Sequence, residues 1–148
     1  MRDEAARFLS HERIAVVGVS RSRGFGNTIM RTLTDRGYRI FPVNANADTI
    51  EGRSCYRSLV QVSEAVDAVV SVVPPSQTIS VVDDCVRLGI KHIWMQQGSE
   101  SNEAISRAES AGMAVVHHAC VIMYAGPTGI HKVHRWFYDK YSSDHVSC

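Results

Sequence analysis

The chain has 148 residues, of which 45% are hydrophobic and 21% charged, with a formal net charge of +1 at pH 7. This balance is typical of one globular domain, and it gives no general attraction to nucleic acid or to an anionic membrane surface. No apolar run approaches the roughly 20 residues of a membrane span, and four scattered cysteines without a CxxC pair favour a reduced, cytoplasmic setting without structural zinc or disulfides.

The predicted elements alternate between strands and helices along the chain. A leading helix over residues 1–10, with Ala5, Phe8 and Leu9 facing inward, precedes a first strand at 14–18 and a helix at 27–36. Apolar runs predict further strands at 39–43, 68–73, 92–96 and 114–117. Helices are expected at 76–88 and 102–111, with a short one at 58–64 and a last one at 130–141.

Three helix–glycine–strand joints, at Gly37, Gly89 and Gly112, indicate a parallel sheet covered on both faces. The fold class is therefore α/β: a Rossmann-like, doubly wound parallel sheet of about five strands in the order 3-2-1-4-5, with helices on both faces. The third strand is almost wholly apolar, as expected for a central strand. Residues 1–124 are expected to form this domain, and residues 125–148 a helical extension packed on it. The aromatic run Trp136-Phe137-Tyr138 suits packing either on its own domain or on a second copy of the chain, so a homodimer stays as an alternative.

The most informative segment links the first strand to the following helix. Glycines allow close backbone approach to a ligand, and the N–H groups at a helix N-terminus attract anions. Arginine pairs well with phosphate. We therefore predict a phosphate-binding loop made by Gly18, Val19, Ser20, Arg21, Ser22, Arg23 and Asn27.

Ligands of doubly wound folds lie beyond the carboxyl ends of the strands. The other predicted strands end in small, rigid or amide-bearing residues, which we expect to border the same ligand: Val43 and Asn44, then Val73, Pro74 and Pro75, then Gln96 and Gly98. Trp94 lies within an apolar strand and is interpreted as a core residue.

Two common nucleotide motifs are incomplete. A dinucleotide fingerprint has G-x-G-x-x-G after the first strand and an acidic residue at the end of the second. In this chain Val19-Ser20 follow Gly18, which breaks the glycine pattern. The second strand ends in Val43-Asn44, which lacks the acidic residue. No Gly-Lys-Ser/Thr follows the loop, which argues against a P-loop nucleotidase. An NAD(P)-dependent oxidoreductase with an unusual loop stays as an alternative, as does a nucleotide-dependent regulatory or partner-binding subunit.

The strand ends match another pattern. Five segments resemble small stand-alone CoA-binding proteins, which are similar to the N-terminal domain of the succinyl-CoA synthetase alpha subunit. The segments are Val16 to Ser20, Gly37 to Asn44, Gly52 to Leu59, Val73-Pro74-Pro75 and the W-x-Q-x-G element Trp94 to Gly98. Cys120 stands where many members carry cysteine. His117-His118-Ala119 stands where they often have Asp-Arg.

The resemblance implies binding of coenzyme A or an acyl-CoA. It places the CoA phosphates at the loop Ser20 to Arg23, the nucleotide beside Val43-Asn44, and the adenine and pantetheine path along Val73-Pro74-Pro75. The synthetase carries its phosphorylated histidine on a second domain, for which this chain has no room, so binding without catalysis is expected.

No catalytic or metal-binding set is predicted. Adjacent residues on a strand face opposite sides, so His117 and His118 are not expected to chelate one ion together. His131 and His134 share a helical face, but no carboxylate or cysteine clearly joins them. Cys120 is interpreted either as a small buried hydrophobic residue or as a thiol placed for a mixed disulfide with CoA.

Overall fold

The computed structural model describes residues 2–126 of the chain. The elements are α1 (Arg2–Phe8), β1 (Arg13–Val17), α2 (Phe25–Asp35), β2 (Arg39–Val43), β3 (Thr49–Ile50), β4 (Arg53–Ser54), a 3₁₀ helix (Leu59–Gln61), β5 (Ala68–Ser71), α3 (Pro75–Leu88), β6 (His92–Gln96), α4 (Asn102–Ser110), β7 (Ala114–Ala119) and α5 (Val121–Tyr124). The expected helix at 130–141 and nearly all of the predicted extension lie outside the described residues.

The main sheet has five strands in the order β2-β1-β5-β6-β7, and every pair within it is parallel. The predicted fold class, a doubly wound α/β sheet, is confirmed. The predicted order 3-2-1-4-5 is wrong, because it places the third of the five strands at an edge beside β2. That strand, β5, instead pairs with β1 and β6 in the centre of the sheet.

Two observations explain the position of β5. All four of its residues are buried, and a strand that is apolar on both faces is best covered at the centre. The outer edge of β2 is also already occupied, since the Tyr56 N–H donates to the Pro42 carbonyl and the Asn44 N–H to the Tyr56 carbonyl, each at 2.9 Å. The connection from β2 to β5 therefore forms the small β3–β4 hairpin and the 3₁₀ helix, where a short helix at 58–64 was expected.

Helices cover both faces of the sheet, as predicted. Helices α1, α2 and α5 pack on one face around Phe8, Leu33 and Trp94. The Trp94 indole N–H donates to the Ala119 carbonyl at 3.0 Å, so this residue is a satisfied core tryptophan. Helices α3 and α4 pack on the other face around Cys85 and Ala108.

The predicted inward residues of α1 and its end, Ala5, Phe8 and Leu9, are buried. Within residues 2–126, no helix combines the length and apolar character that crossing a membrane requires.

Candidate functional site

Three cavities open at the carboxyl edge of the sheet, where β1, β2, β5 and β6 end. The first, the β2-side cavity, has a volume of about 380 Å³ and includes Gly18, Val19, Val43, Asn44 and Val73 in its lining. The second, the β6-side cavity, has about 410 Å³ and includes Phe25, Val73, Pro74, Gln96 and Gly98. The third, the loop cavity, has about 630 Å³ and includes Ser22, Arg23, Thr28, Arg31 and Glu51. Volumes of this size are common for small-molecule sites.

Two glycines let α2 begin directly against the end of β1. Gly18 has a φ of +119°, and a Cβ there would lie 2.9 Å from the backbone carbon of Val72. A Cβ on Gly26, in the first turn of α2, would lie 2.5 Å from the Gly18 carbonyl oxygen. Only glycine fits at this crossing, which brings the helix N-terminus to the centre of the sheet edge.

The loop between these glycines is held by Asn27. Its side chain is buried; its Oδ1 accepts from the Ser20 N–H at 2.7 Å, and its Nδ2 donates to the Ser20 carbonyl at 2.8 Å. Asn27 was predicted to contact the ligand. Because both ends of its amide are bonded to Ser20, the structure gives it the role of shaping the loop.

The N-terminus of α2 is open to an anion. Its N-cap residue is Gly24, no side chain caps it, and no acidic residue lies in its first turn. Such a terminus carries partial positive charge and N–H groups without helical partners. The helix therefore favours a negatively charged group at the loop.

Arg21 and Arg23 are exposed beside this terminus. Neither guanidinium makes an ion pair or side-chain hydrogen bond with another of the described residues. Arg31, by contrast, lies in the second turn of α2 and donates to the Glu51 carboxylate at 2.6 Å. Arg23 lines the loop cavity together with Arg31. The loop thus carries two cationic side chains that residues 2–126 leave available for a ligand.

Asn44 lies at the end of β2, where dinucleotide enzymes place an acidic residue. Its Nδ2 donates to the Val19 carbonyl at 2.7 Å, and its Oδ1 accepts from the Asn46 N–H at 2.7 Å. The side chain is neutral and is already engaged on both sides. It is therefore a poor acceptor for ribose hydroxyls.

A buried hydroxyl cluster, made of Ser71, Thr78 and Ser99, supports the wall shared by two cavities. The Oγ1 of Thr78 lies 2.8 Å from Ser99 Oγ, and the Oγ of Ser71 lies within 3.2 Å of both. Ser99 also donates to the Val73 carbonyl at 2.6 Å. The cluster fixes Val73 and the loop after β6 relative to each other. Sequence reasoning missed it, although a serine closing an otherwise apolar strand was a usable signal.

Beyond β6, Gln96 and Gly98 take different roles. Gln96 is buried and lines the β6-side cavity, but its Oε1 accepts from the Val121 N–H at 3.0 Å and so holds the start of α5. Gly98 has a φ of +91°, and its N–H donates to the Glu100 carboxylate at 3.1 Å. Glu100 in turn lies 3.6 Å from the Nε2 of His118.

The expectation that His117 and His118 face opposite sides is wrong. Their Nδ1 atoms lie 2.6 Å apart, because His118 has a φ of +55° and the pairing of β6 with β7 shifts register at this point. A positive φ breaks the alternation that a regular strand imposes. Among residues 2–126, no group of three histidine, cysteine or acidic side chains is arranged to hold a metal ion.

Most of the predicted site residues meet at this edge. Gly18, Val19, Val43, Asn44 and Val73 line the β2-side cavity, Ser22 and Arg23 line the loop cavity, and Val73, Pro74, Gln96 and Gly98 line the β6-side cavity. Ser20, Arg21, Asn27 and Pro75 line none of the three. Pro75 is the first residue of α3, a position that suits its fixed φ.

Sequence reasoning missed Arg57, Gln77 and Asp84, which line the β2-side cavity. They come from the turn before the 3₁₀ helix and from one face of α3. Arg57 lies within the segment Gly52 to Leu59 that carries the resemblance, whereas no local motif marks Gln77 or Asp84.

Comparison with known proteins gives relatives in sequence and solved structures with a similar fold. An ADP-forming acetate–CoA ligase of Methanocaldococcus jannaschii is 34% identical over 92 residues, which are 61% of this chain and 13% of the ligase. The uncharacterized protein YneT of Bacillus subtilis is 29% identical, over 74% of this chain and 82% of its own length. A solved structure, a conserved hypothetical protein of Pyrococcus furiosus, is 38% identical, with a TM-score of 0.71 over 75% of this chain and 97% of that one.

The chain thus spans 13% to 28% of its acetate–CoA ligase relatives from Methanocaldococcus jannaschii, Archaeoglobus fulgidus and Pyrococcus furiosus, and most of the two small proteins. The CoA binding domain family matches residues 12–125, which run from the residue before β1 to the end of α5 and contain all three cavities. The chain belongs to the family of CoA binding domains.

Proposed function

We propose that the chain binds coenzyme A or an acyl-CoA through the loop between Gly18 and Asn27, and that it does so without catalysis of its own. The observation that carries this proposal is the open N-terminus of α2 with Arg21 and Arg23 beside it. A CoA molecule carries a pyrophosphate and a 3′-phosphate, and both kinds of group need cationic or N–H partners.

The loop is suited to phosphate in three ways. Gly18 and Gly26 bring backbone close to a bound group, and the uncapped helix supplies partial positive charge. Asn27 holds the loop in shape, so that little conformational entropy is lost on binding. No carboxylate among residues 2–126 pairs with Arg21 or Arg23, so their charges stay available for phosphate.

The β2-side cavity suits the adenosine portion. Val43 and Val73 give it apolar walls, while Asn46, Arg57 and Gln77 supply polar groups. An adenosine moiety combines an apolar ring face with hydrogen-bonding edges, and this mixed lining matches both. The neutral Asn44 at the end of β2 favours CoA over NAD(H).

Binding without catalysis is supported by the place of His118. His118 lies beside Glu100 and lines none of the three cavities. The matching segment of the acetate–CoA ligase is a small part of a much longer protein. We propose that the residues matched by the family, 12–125, supply CoA binding and no acyl transfer of their own.

Isothermal titration calorimetry of the full, reduced chain tests the proposal with CoA, dephospho-CoA and NADH. Saturable binding is expected for CoA, weaker binding for dephospho-CoA, and none for NADH. The double variant Arg21→Gln/Arg23→Gln should bind CoA at least about tenfold more weakly, since one hydrogen bond to a charged group is worth about 1.5–3 kcal/mol.

Arg107→Gln is the matched control, because Arg107 is an exposed arginine on α4 that pairs with Asp83. It should bind CoA as the wild type does. Absence of saturable heat with CoA would overturn the proposed function. Wild-type affinity in the double variant would show that the loop arginines do not hold the phosphates.

A further inference from the structure

The β6-side cavity differs in character from the β2-side cavity, although the two share Val73. Its walls on one side are the side chains of Phe25, Val72, Val73 and Pro74. No lysine, arginine or acidic residue stands among its lining residues, whereas Arg57 and Asp84 line the β2-side cavity. A ligand whose phosphates lie at the start of α2 therefore has a polar cavity on one side and a largely apolar one on the other.

The polar groups of the β6-side cavity are mostly occupied. Ser99 donates to the Val73 carbonyl at 2.6 Å, and the side-chain Oε1 of Gln96 accepts from the Val121 N–H at 3.0 Å. The Gly98 N–H is bonded to Glu100 at 3.1 Å. Polar groups that are already hydrogen-bonded offer little to a charged ligand, so apolar ligand groups are expected to bind better in this cavity than charged ones.

A negative charge borders this cavity at Gly98. The carboxylate of Glu100 touches the backbone of Gly98, and its side chain is only 12% exposed. A carboxylate with little access to water acts over a longer range than an exposed one, because solvent screens it less. A second carboxylate brought into the β6-side cavity would be repelled by it.

Phe25 completes the apolar wall. It is the first residue of α2, and its side chain is 42% exposed although it borders both the β6-side cavity and the loop cavity. An exposed aromatic ring at the mouth of a cavity gains contact area when an apolar group enters. Nothing in the packing of α2 requires a phenyl ring there, since the ring is not part of either core.

We propose that the β6-side cavity takes the acyl end of a CoA thioester, that it selects short, uncharged acyl groups over acyl groups that end in a carboxylate, and that Phe25 and Glu100 set this preference. The inference rests on the proposed function. The adenosine portion lies in the β2-side cavity, the phosphates lie at the loop, and the thioester arm runs past Val73.

The test is a set of titrations with CoA, acetyl-CoA, butyryl-CoA and succinyl-CoA at about pH 8, where free imidazole is uncharged. Butyryl-CoA should bind about fivefold more tightly than acetyl-CoA, because each fully buried methylene gives roughly a fourfold gain and the cavity is open to solvent on one side. Succinyl-CoA should bind at least about fivefold more weakly than butyryl-CoA, through loss of apolar contact and repulsion by Glu100.

Two variants separate the contributions. Glu100→Gln keeps an oxygen that can accept from the Gly98 N–H but removes the charge, so it should bring succinyl-CoA closer to butyryl-CoA. Phe25→Ser should bring the affinity ratio of butyryl-CoA to acetyl-CoA towards one. Val86→Ser is the matched control, since Val86 is 47% exposed on α3 and lines none of the three cavities; it should leave both ratios unchanged.

The outcomes distinguish this inference from the proposed function. If no CoA species binds, the proposed function fails. If all four bind with equal affinity, or if Glu100→Gln leaves the succinyl-CoA ratio unchanged, CoA binding stands and the acyl preference is refuted.

Discussion

The crossing of Gly26 over Gly18 gives the sharpest test of how the loop is built. Replacing Gly26 by alanine adds one methyl group at the first turn of α2. That carbon would lie 2.5 Å from the Gly18 carbonyl oxygen and 2.9 Å from its carbonyl carbon. Both neighbours are backbone atoms of the residue that follows β1, so no side-chain rotation relieves the contact.

The size of the effect follows from these distances. Ordinary contact begins at 3.4 Å, so α2 must retreat by about 0.9 Å from the end of β1. Overpacking of this kind costs about 1–3 kcal/mol. At about 2–4 °C per kcal/mol for a chain of this size, the melting temperature should fall by roughly 2 to 12 °C.

The same displacement should weaken CoA binding. It moves the N-terminus of α2 away from the position fixed by Asn27 and Ser20. In the proposed binding mode, the N–H groups and the loop arginines would then no longer converge on one phosphate. We expect the affinity for CoA to fall at least about tenfold, which is the loss of one charge-assisted hydrogen bond. Thermal denaturation and calorimetric titration measure the two effects on the same preparations.

Gly24→Ala is the matched control in the same loop. Gly24 has a φ of −178°, which any residue adopts, and a Cβ there would meet only the Ser20 side chain at 3.6 Å. Alanine is a poorer N-cap than glycine, so a loss below about 1 kcal/mol is expected. If Gly26→Ala melts with the wild type and binds CoA equally well, or if both variants lose the same stability, the steric argument is refuted.

Three further predictions concern buried titratable groups. Tyr38→Phe should lower the free energy of unfolding in urea by about 1 kcal/mol, because the buried phenol donates to the Leu9 carbonyl at 3.0 Å. Burial, and then the neighbouring His11, lower the pKa of His92 in the folded chain. As the pH falls below about 6.5, the unfolded chain therefore binds a proton at this imidazole before the folded chain does, and the free energy of unfolding decreases. His92→Gln should flatten that fall in thermal denaturation; an unchanged pH profile would contradict this. Burial raises the pKa of Cys85 to about 12, so iodoacetamide at about pH 8 should modify Cys85 only after denaturation, as peptide mass spectrometry would show.

The pattern of apolar runs and glycine stops was sufficient to predict the class of fold and its five main strands. It could not fix the strand order, because a right-handed crossover from β2 can lead either to the outer edge of β2 or to the free edge of β1. The decisive contact is the pairing of Tyr56 with Pro42 and Asn44, which occupies the outer edge of β2. The uniformly apolar character of β5 already indicated a central strand, and this signal was the better guide.

The site was predictable where a residue acts through its position at a strand end. Gly18, Val43 and Val73 follow from that rule, and the structure brings them together around one cavity. The rule fails for Arg57 and Asp84, which reach the same cavity from a turn and from a helix face that only the folded chain brings near. It also does not predict the orientation of His118, whose positive φ accompanies a register shift between β6 and β7.

Asn27 and Asn44 show how side chains hold the loop that follows β1. Both side chains continue the hydrogen bonding of the sheet past the end of β1: Asn44 binds the Val19 carbonyl, and Asn27 binds both backbone groups of Ser20. The two residues after Gly18 are therefore held in place by side chains, without a neighbouring strand. A loop held in this way needs little ordering when a ligand arrives, and under the proposed function this rigidity is what lets two exposed arginines and an uncapped helix act on the same phosphate.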